Sequence, residues 1–122
     1  MNSCQKLLLV VDSDSNLLQR LDGQLQGMGY EVLTATNGLQ GLEELKRSSI
    51  HGILLDVLMP IMDGLTMLRR VMEKYPHIPV IVMATAANKE QLAQAITDGA
   101  MDYILKPIDR ALLSQTCGRV FE

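Results

Sequence analysis

Five short apolar runs alternate with five stretches of helical periodicity, and little sequence is left between them. The runs cover residues 6–11, 31–35, 52–58, 79–84 and 100–105. After the first, Leu17, Leu18, Leu21 and Leu25 recur at helical spacing until Gly27-Met28-Gly29 stops them. Asn37-Gly38 turns the chain into a second helix through Leu39, Leu42 and Leu45, and Leu65, Leu68, Val71 and Met72 mark a third. A fourth, through Leu92, Ala95 and Ile96, ends at Gly99, and residues 111–120 form the last. LLLVV at 7–11 is too continuously apolar for a strand with one wet face. Strict alternation of this kind predicts an α/β fold, a parallel sheet with helices on both faces. The 122 residues suit one domain with one sizeable core. With 3% aromatics and no Trp, aliphatic residues and eight Met must fill it.

In a parallel sheet the working site lies outside the carboxyl ends of the strands, where strand order reverses. The residues ending these runs are therefore informative: Asp12-Ser13-Asp14, Asp56, Ala84-Thr85 and Lys106. Asp56 is the candidate nucleophile, because a carboxylate can attack phosphorus when cations screen an anionic donor. Mg²⁺ suits that screening, since it takes one or two carboxylates with water and phosphate oxygens. Asp12 and Asp56 would set two negative charges against its two positive ones, with Lys106 as a mobile point charge opposite. Pro107 sets the loop that aims the lysine, and the isomer of its peptide bond is left open. Asp14 and Ser15 read as N-cap residues, and Asp63-Gly64 as a turn and helix start. The glycines of NGLQGL and GMG lack the spacing of a phosphate loop. His51 and His77 fall near loops, exposed and without ligand partners.

Charge and composition remove several classes. A net charge of −3 with no basic stripe argues against nucleic-acid contact. No apolar run reaches the roughly 18–20 residues of a membrane span, and MNSCQK lacks the apolar region of a secretion signal. Cys4 and Cys117 read as free thiols, which places the chain in a reducing cytoplasm.

VVD at 10–12, DVLMPIMDG at 56–64 and DGAMDYILKP at 98–107 together resemble the receiver domain of bacterial two-component response regulators. The similarity runs along essentially the whole chain, so residues 1–122 are expected to be a single receiver domain. It implies a flavodoxin-like sheet in the order 2-1-3-4-5. It implies that Asp56 accepts a phosphoryl group from a histidine kinase or phosphotransfer protein, with Mg²⁺ required. Asp12 would help hold the metal, Leu58 would offer its backbone carbonyl, and Lys106 would contact the phosphoryl group. Tyr103 falls on the aromatic switch position, and the surface of the fourth helix, fifth strand and fifth helix would carry the signal to an output domain or protein. The chemistry would be incidental to signalling and not enzymatic turnover. A homodimer through the last helices is left open.

Two positions depart from the family pattern. Ser13 stands where a second acid usually follows the first strand, and a serine oxygen is a much weaker Mg²⁺ ligand, unless Asp14 compensates through a different turn. Counting back from Lys106 through Gly99 without a gap puts Ala84, and not Thr85, at the switch hydroxyl. A one-residue shift that would bring in Thr85 is resisted by the alternation of strand side chains. These departures motivate an alternative, a receiver-like module that binds partners without phosphorylation. A rival from another class rests on DSD at 12–14, which resembles the first motif of haloacid-dehalogenase-type phosphatases. There Asp12 would be the nucleophile, but MPIMDG would have no role and no later acid pair follows Lys106.

Overall fold

Side-chain parity in the strands organises the molecule, which is a computed structural model describing residues 5–122, so that Cys4 lies outside the described residues. Five strands form a parallel sheet in the order β2-β1-β3-β4-β5: β1 Leu7–Val11, β2 Glu31–Ala35, β3 Gly52–Asp56, β4 Val80–Ala84 and β5 Asp102–Leu105. Helices α1 Ser15–Gly27, α2 Gly38–Arg47, α3 Gly64–Lys74, α4 Lys89–Thr97 and α5 Arg110–Phe121 alternate with them. A 3₁₀ turn at Ala86–Asn88, absent from the sequence reading, leads into α4.

Successive strand residues point to opposite faces, and two cores result. Leu8, Val10, Leu54, Ile81, Met83 and Ile104 pack under α1 and α5. Leu9, Val11, Ile53, Leu55, Val80, Val82 and Ala84 pack under the other helices. β3 and β4 are buried along their whole length, which explains their continuously apolar sequence.

Helix boundaries follow local chemistry. Asp14, Asn37, Asp63 and Asp109 each accept a backbone N–H in the first turn of the helix they precede. Gly29 and Gly99 hold φ of 99° and 120°, the left-handed geometry that closes a helix C-terminus. In each case the next residue reaches back, Tyr30 N–H to Leu25 O and Ala100 N–H to Ala95 O. That bond is why β5 starts at Asp102 and not at 100 as its apolar run suggests. β3 likewise stops at Asp56 instead of 58, because the Val57 carbonyl accepts Gly64 N–H at 3.0 Å and so belongs to the start of α3.

Ile61 has a φ of 71° and is 80% exposed, with Met62 N–H bonding Pro60 O across it. A β-branched residue there is strained, at a cost on the order of 1–3 kcal/mol. Gly64 is constrained in another way. A Cβ at this position would overlap the Asp56 carbonyl oxygen and sit 2.7 Å from Val57 Cα. Both are backbone atoms that cannot swing aside. Gly64→Ala is therefore expected to lower unfolding free energy by about 1–3 kcal/mol, as overpacked interiors do. Urea unfolding followed by far-ultraviolet circular dichroism measures this, whereas Gly23→Ala, with open space around the added carbon, should be tolerated.

Candidate functional site

Asp12, Asp56 and Lys106 extend the parity of Val10, Leu54 and Ile104, so all three side chains leave their strand ends on the α1/α5 face. The register Val11↔Leu55 places Asp12 beside Asp56. The Lys106 ammonium joins them, with Nζ 2.7 Å from Asp12 Oδ2 and 3.2 Å from Asp56 Oδ2. Asp12 is 1% exposed and Asp56 7%. Asp12 Oδ1 also accepts Asp14 N–H at 2.9 Å, which fixes the loop after β1. Lys106 is held by its backbone as well, since its N–H bonds Ala84 O at 2.7 Å. The Lys106-Pro107 peptide bond is cis.

Two carboxylates share one ammonium, and the electrostatics show the deficit. Burial, and next the Asp12 charge, push the Asp56 carboxyl above its ordinary value, while Lys106 and the Leu58 backbone pull it back without prevailing. Burial works against the charged form of Lys106, but its bonds to Asp12 and Asp56 raise it above the ordinary lysine value. This donor set fits a divalent cation. Asp12 and Asp56 could hold one, with water and backbone carbonyl oxygen filling the remaining positions. Among the described residues no group of three or more His, Cys, Asp or Glu side chains gathers around a common centre.

The remaining candidates are placed unequally. Ser13 is exposed, and Asp14 commits its Oδ1 to the N–H groups of Asn16 and Leu17 as the α1 cap. Leu58 is 46% exposed beside Asp56. Ala84 ends β4, 1% exposed and packed in the core under the other helices. Tyr103 pairs with Val82 and projects to that same face, 47% exposed. Thr85 has the opposite parity. It lines a cavity of about 510 Å³ with Lys106, Arg20 and Ile108, and its hydroxyl donates to Asn88 Oδ1 at 2.9 Å. Arg20 was missed by the sequence reading, since nothing in its local pattern separates it from a solvated helix residue. The two histidines are exposed as expected, although the His51 ring does have a partner, accepting Leu7 N–H. Cys117 is a buried free thiol, and burial pushes its pKa up to about 12.

The shift of Asp56 has a direct consequence for stability. The folded state holds its proton at pH values where the unfolded chain has released it, so stability falls as pH rises through that window. The ionised group then weighs against folding at neutral pH. Asp56→Asn is expected to melt a few degrees higher than the parent at pH 7. The gap should close below the ordinary carboxylate range, near pH 3, where the parent is also neutral. Thermal melts at the two pH values check it.

Comparison with known proteins agrees with this geometry. The family model described as the response regulator receiver domain matches residues 8–117. The transcriptional regulatory protein ZraR of Klebsiella oxytoca is 37% identical over 102 residues, covering 84% of this chain and 23% of ZraR. The DNA-binding transcriptional regulator NtrC of Escherichia coli K12 is 36% identical over 103 residues, covering 84% of this chain and 22% of NtrC. The chain thus spans less than a quarter of the length of these relatives. The crystal structure of the NtrX receiver domain from Brucella abortus superimposes with a TM-score of 0.88 at 28% identity, covering 92% of this chain and 95% of that one. The sheet order, the strand-end site and the matched residues lead to one conclusion: this chain belongs to the response regulator receiver domain family.

Proposed function

We propose that residues 1–122 act as one phospho-acceptor unit in which Asp56 takes a phosphoryl group from a histidine kinase or phosphotransfer protein. The observation that carries this reading is the Lys106 ammonium set between the Asp12 and Asp56 carboxylates at three strand ends. An Asp56 carboxylate oxygen attacks the phosphorus of the donor phosphohistidine, the P–N bond breaks, and the imidazole leaves with its electron pair. Mg²⁺ held by Asp12, Asp56 and the Leu58 carbonyl, when bound, would neutralise the charge that builds on the transferring phosphoryl oxygens. Lys106 exchanges carboxylate contacts for a phosphoryl oxygen and keeps the product ion-paired.

The acyl phosphate adds charge and acceptor oxygens beside the β4 and β5 ends. A partner or output domain would read the result on α4, β5 and α5, where Met101, Tyr103, Leu105 and Leu112 are exposed. Ala84 has no hydroxyl to draw toward the phosphoryl group, and the Thr85 hydroxyl lies across the strand from Tyr103. Moving a two-state surface from 1:99 to 99:1 takes about 5.5 kcal/mol of differential stabilisation. With that link missing, the switch has low gain. Such chemistry belongs in the cytoplasm, and no described helix is long and apolar enough to cross a membrane.

Incubation with acetyl phosphate and Mg²⁺, then intact-mass measurement, is expected to give one phosphoryl adduct. It should be absent in Asp56→Ala and without Mg²⁺. No adduct from acetyl phosphate, phosphoramidate or a cognate kinase would overturn the proposal. Ser13→Asp restores a second acid beside Asp12 and is expected to tighten Mg²⁺ binding about 10- to 100-fold, the worth of one charged ligand contact. Titration calorimetry reads that change.

A further inference from the structure

At the opposite pole of the sheet from Asp56, the C-terminal ends of α2 and α3 border an open cavity of about 710 Å³. It lies within the size range of small-molecule sites. Lys46, Arg47, His51, Tyr75 and His77 line it together with Ser48 and Ser49. No Asp or Glu among the described residues does so, although the chain carries 14 acids and is net negative. Both histidines of the chain meet here because β3 and β4 are neighbours with Ile53 opposite Val80.

One hydrogen bond decides what kind of ligand this lining can take. His51 Nδ1 accepts Leu7 N–H at 3.0 Å, and His51 N–H in turn bonds Leu7 O at 2.8 Å. With Nδ1 serving as acceptor, the ring proton sits on Nε2. The free edge of the ring is therefore a donor, and metal ligation through Nε2 would sacrifice the Leu7 bond. The hydroxyls of Ser48, Ser49 and Tyr75, the Lys46 ammonium and the Arg47 guanidinium add further donors.

Among the described residues, Lys46 and Arg47 pair with Glu43 and the half-buried Glu44 one turn back, at 3.3 and 3.0 Å, and pairs with so exposed a cation separate at little cost. The carbonyl ends of α2 and α3 oppose an anion, and Lys46, Arg47 and Lys74 in their last turns offset that field. We propose that this cavity binds a multivalent oxyanion, a phosphorylated small molecule of about the size of a nucleoside diphosphate. Its phosphates would lie on Lys46, Arg47 and His51, and Tyr75 and His77 would flank the remainder.

The test is titration of the ¹⁵N-labelled chain with pyrophosphate and with ADP, in Mg²⁺-free buffer. The expected result is saturable amide shifts centred on residues 46–51 and 75–78. Affinity should fall about tenfold or more in Lys46→Gln/Arg47→Gln, while the variant stays folded with a urea midpoint only slightly lowered by the loss of two exposed cations from the end of α2. Tighter binding of ADP than of pyrophosphate is expected from the Tyr75 and His77 contacts, and equal affinity would overturn their part in the site. Shifts confined to residues 12–14, 56–58 and 106, unaltered affinity in the folded double variant, or no shift at millimolar probe would each overturn it.

Discussion

The site depends on one ammonium standing between two nearly buried carboxylates. Carboxylates this deeply placed beside an apolar core need a cation within reach. Lys106 supplies one positive charge for two negative ones, and burial first, then the Asp12 charge, hold the Asp56 carboxyl above its ordinary value despite that ammonium. An electrostatic deficit at a solvent-reachable strand end is an invitation to a second cation and then to an anion bearing phosphorus. The fold sets that charge imbalance, and the proposed chemistry makes use of it.

The scaffold holds this arrangement by backbone more than by side-chain packing. Gly64 lets the start of α3 press onto the carbonyls of Asp56 and Val57, so β3 ends against a helix. Lys106 N–H is fixed to Ala84 O, tying β5 to the end of β4. Asp12 Oδ1 anchors Asp14 N–H, which in turn sets the α1 cap. The strained Ile61 sits in the same β3–α3 loop, a few residues beyond Asp56.

Much of the candidate site was legible because it follows local rules. Asp14 is a cap because a short carboxylate before an apolar helical pattern bonds the first-turn N–H groups, and the structure shows that bond. Asp63 and Asn37 follow the same logic. Strand limits were less legible, since Val57 and Ala100 are apolar but the Val57 carbonyl and the Ala100 N–H bond to neighbouring helices. Arg20 and the lining of the distal cavity had no local signature at all. Those groups meet through contacts between elements far apart in sequence.

The sequence by itself determined the order of elements, the parallel sheet and the set of strand-end residues, because hydrophobic period and helix capping act over a few residues. Only the tertiary structure decided which of those residues face one another. Asp12 reaches Lys106 across 94 positions. Ala84 and Thr85 are adjacent in the chain yet serve opposite faces. The physical reason is that register and parity are relations between strands, set when the sheet assembles, and no local pattern contains them.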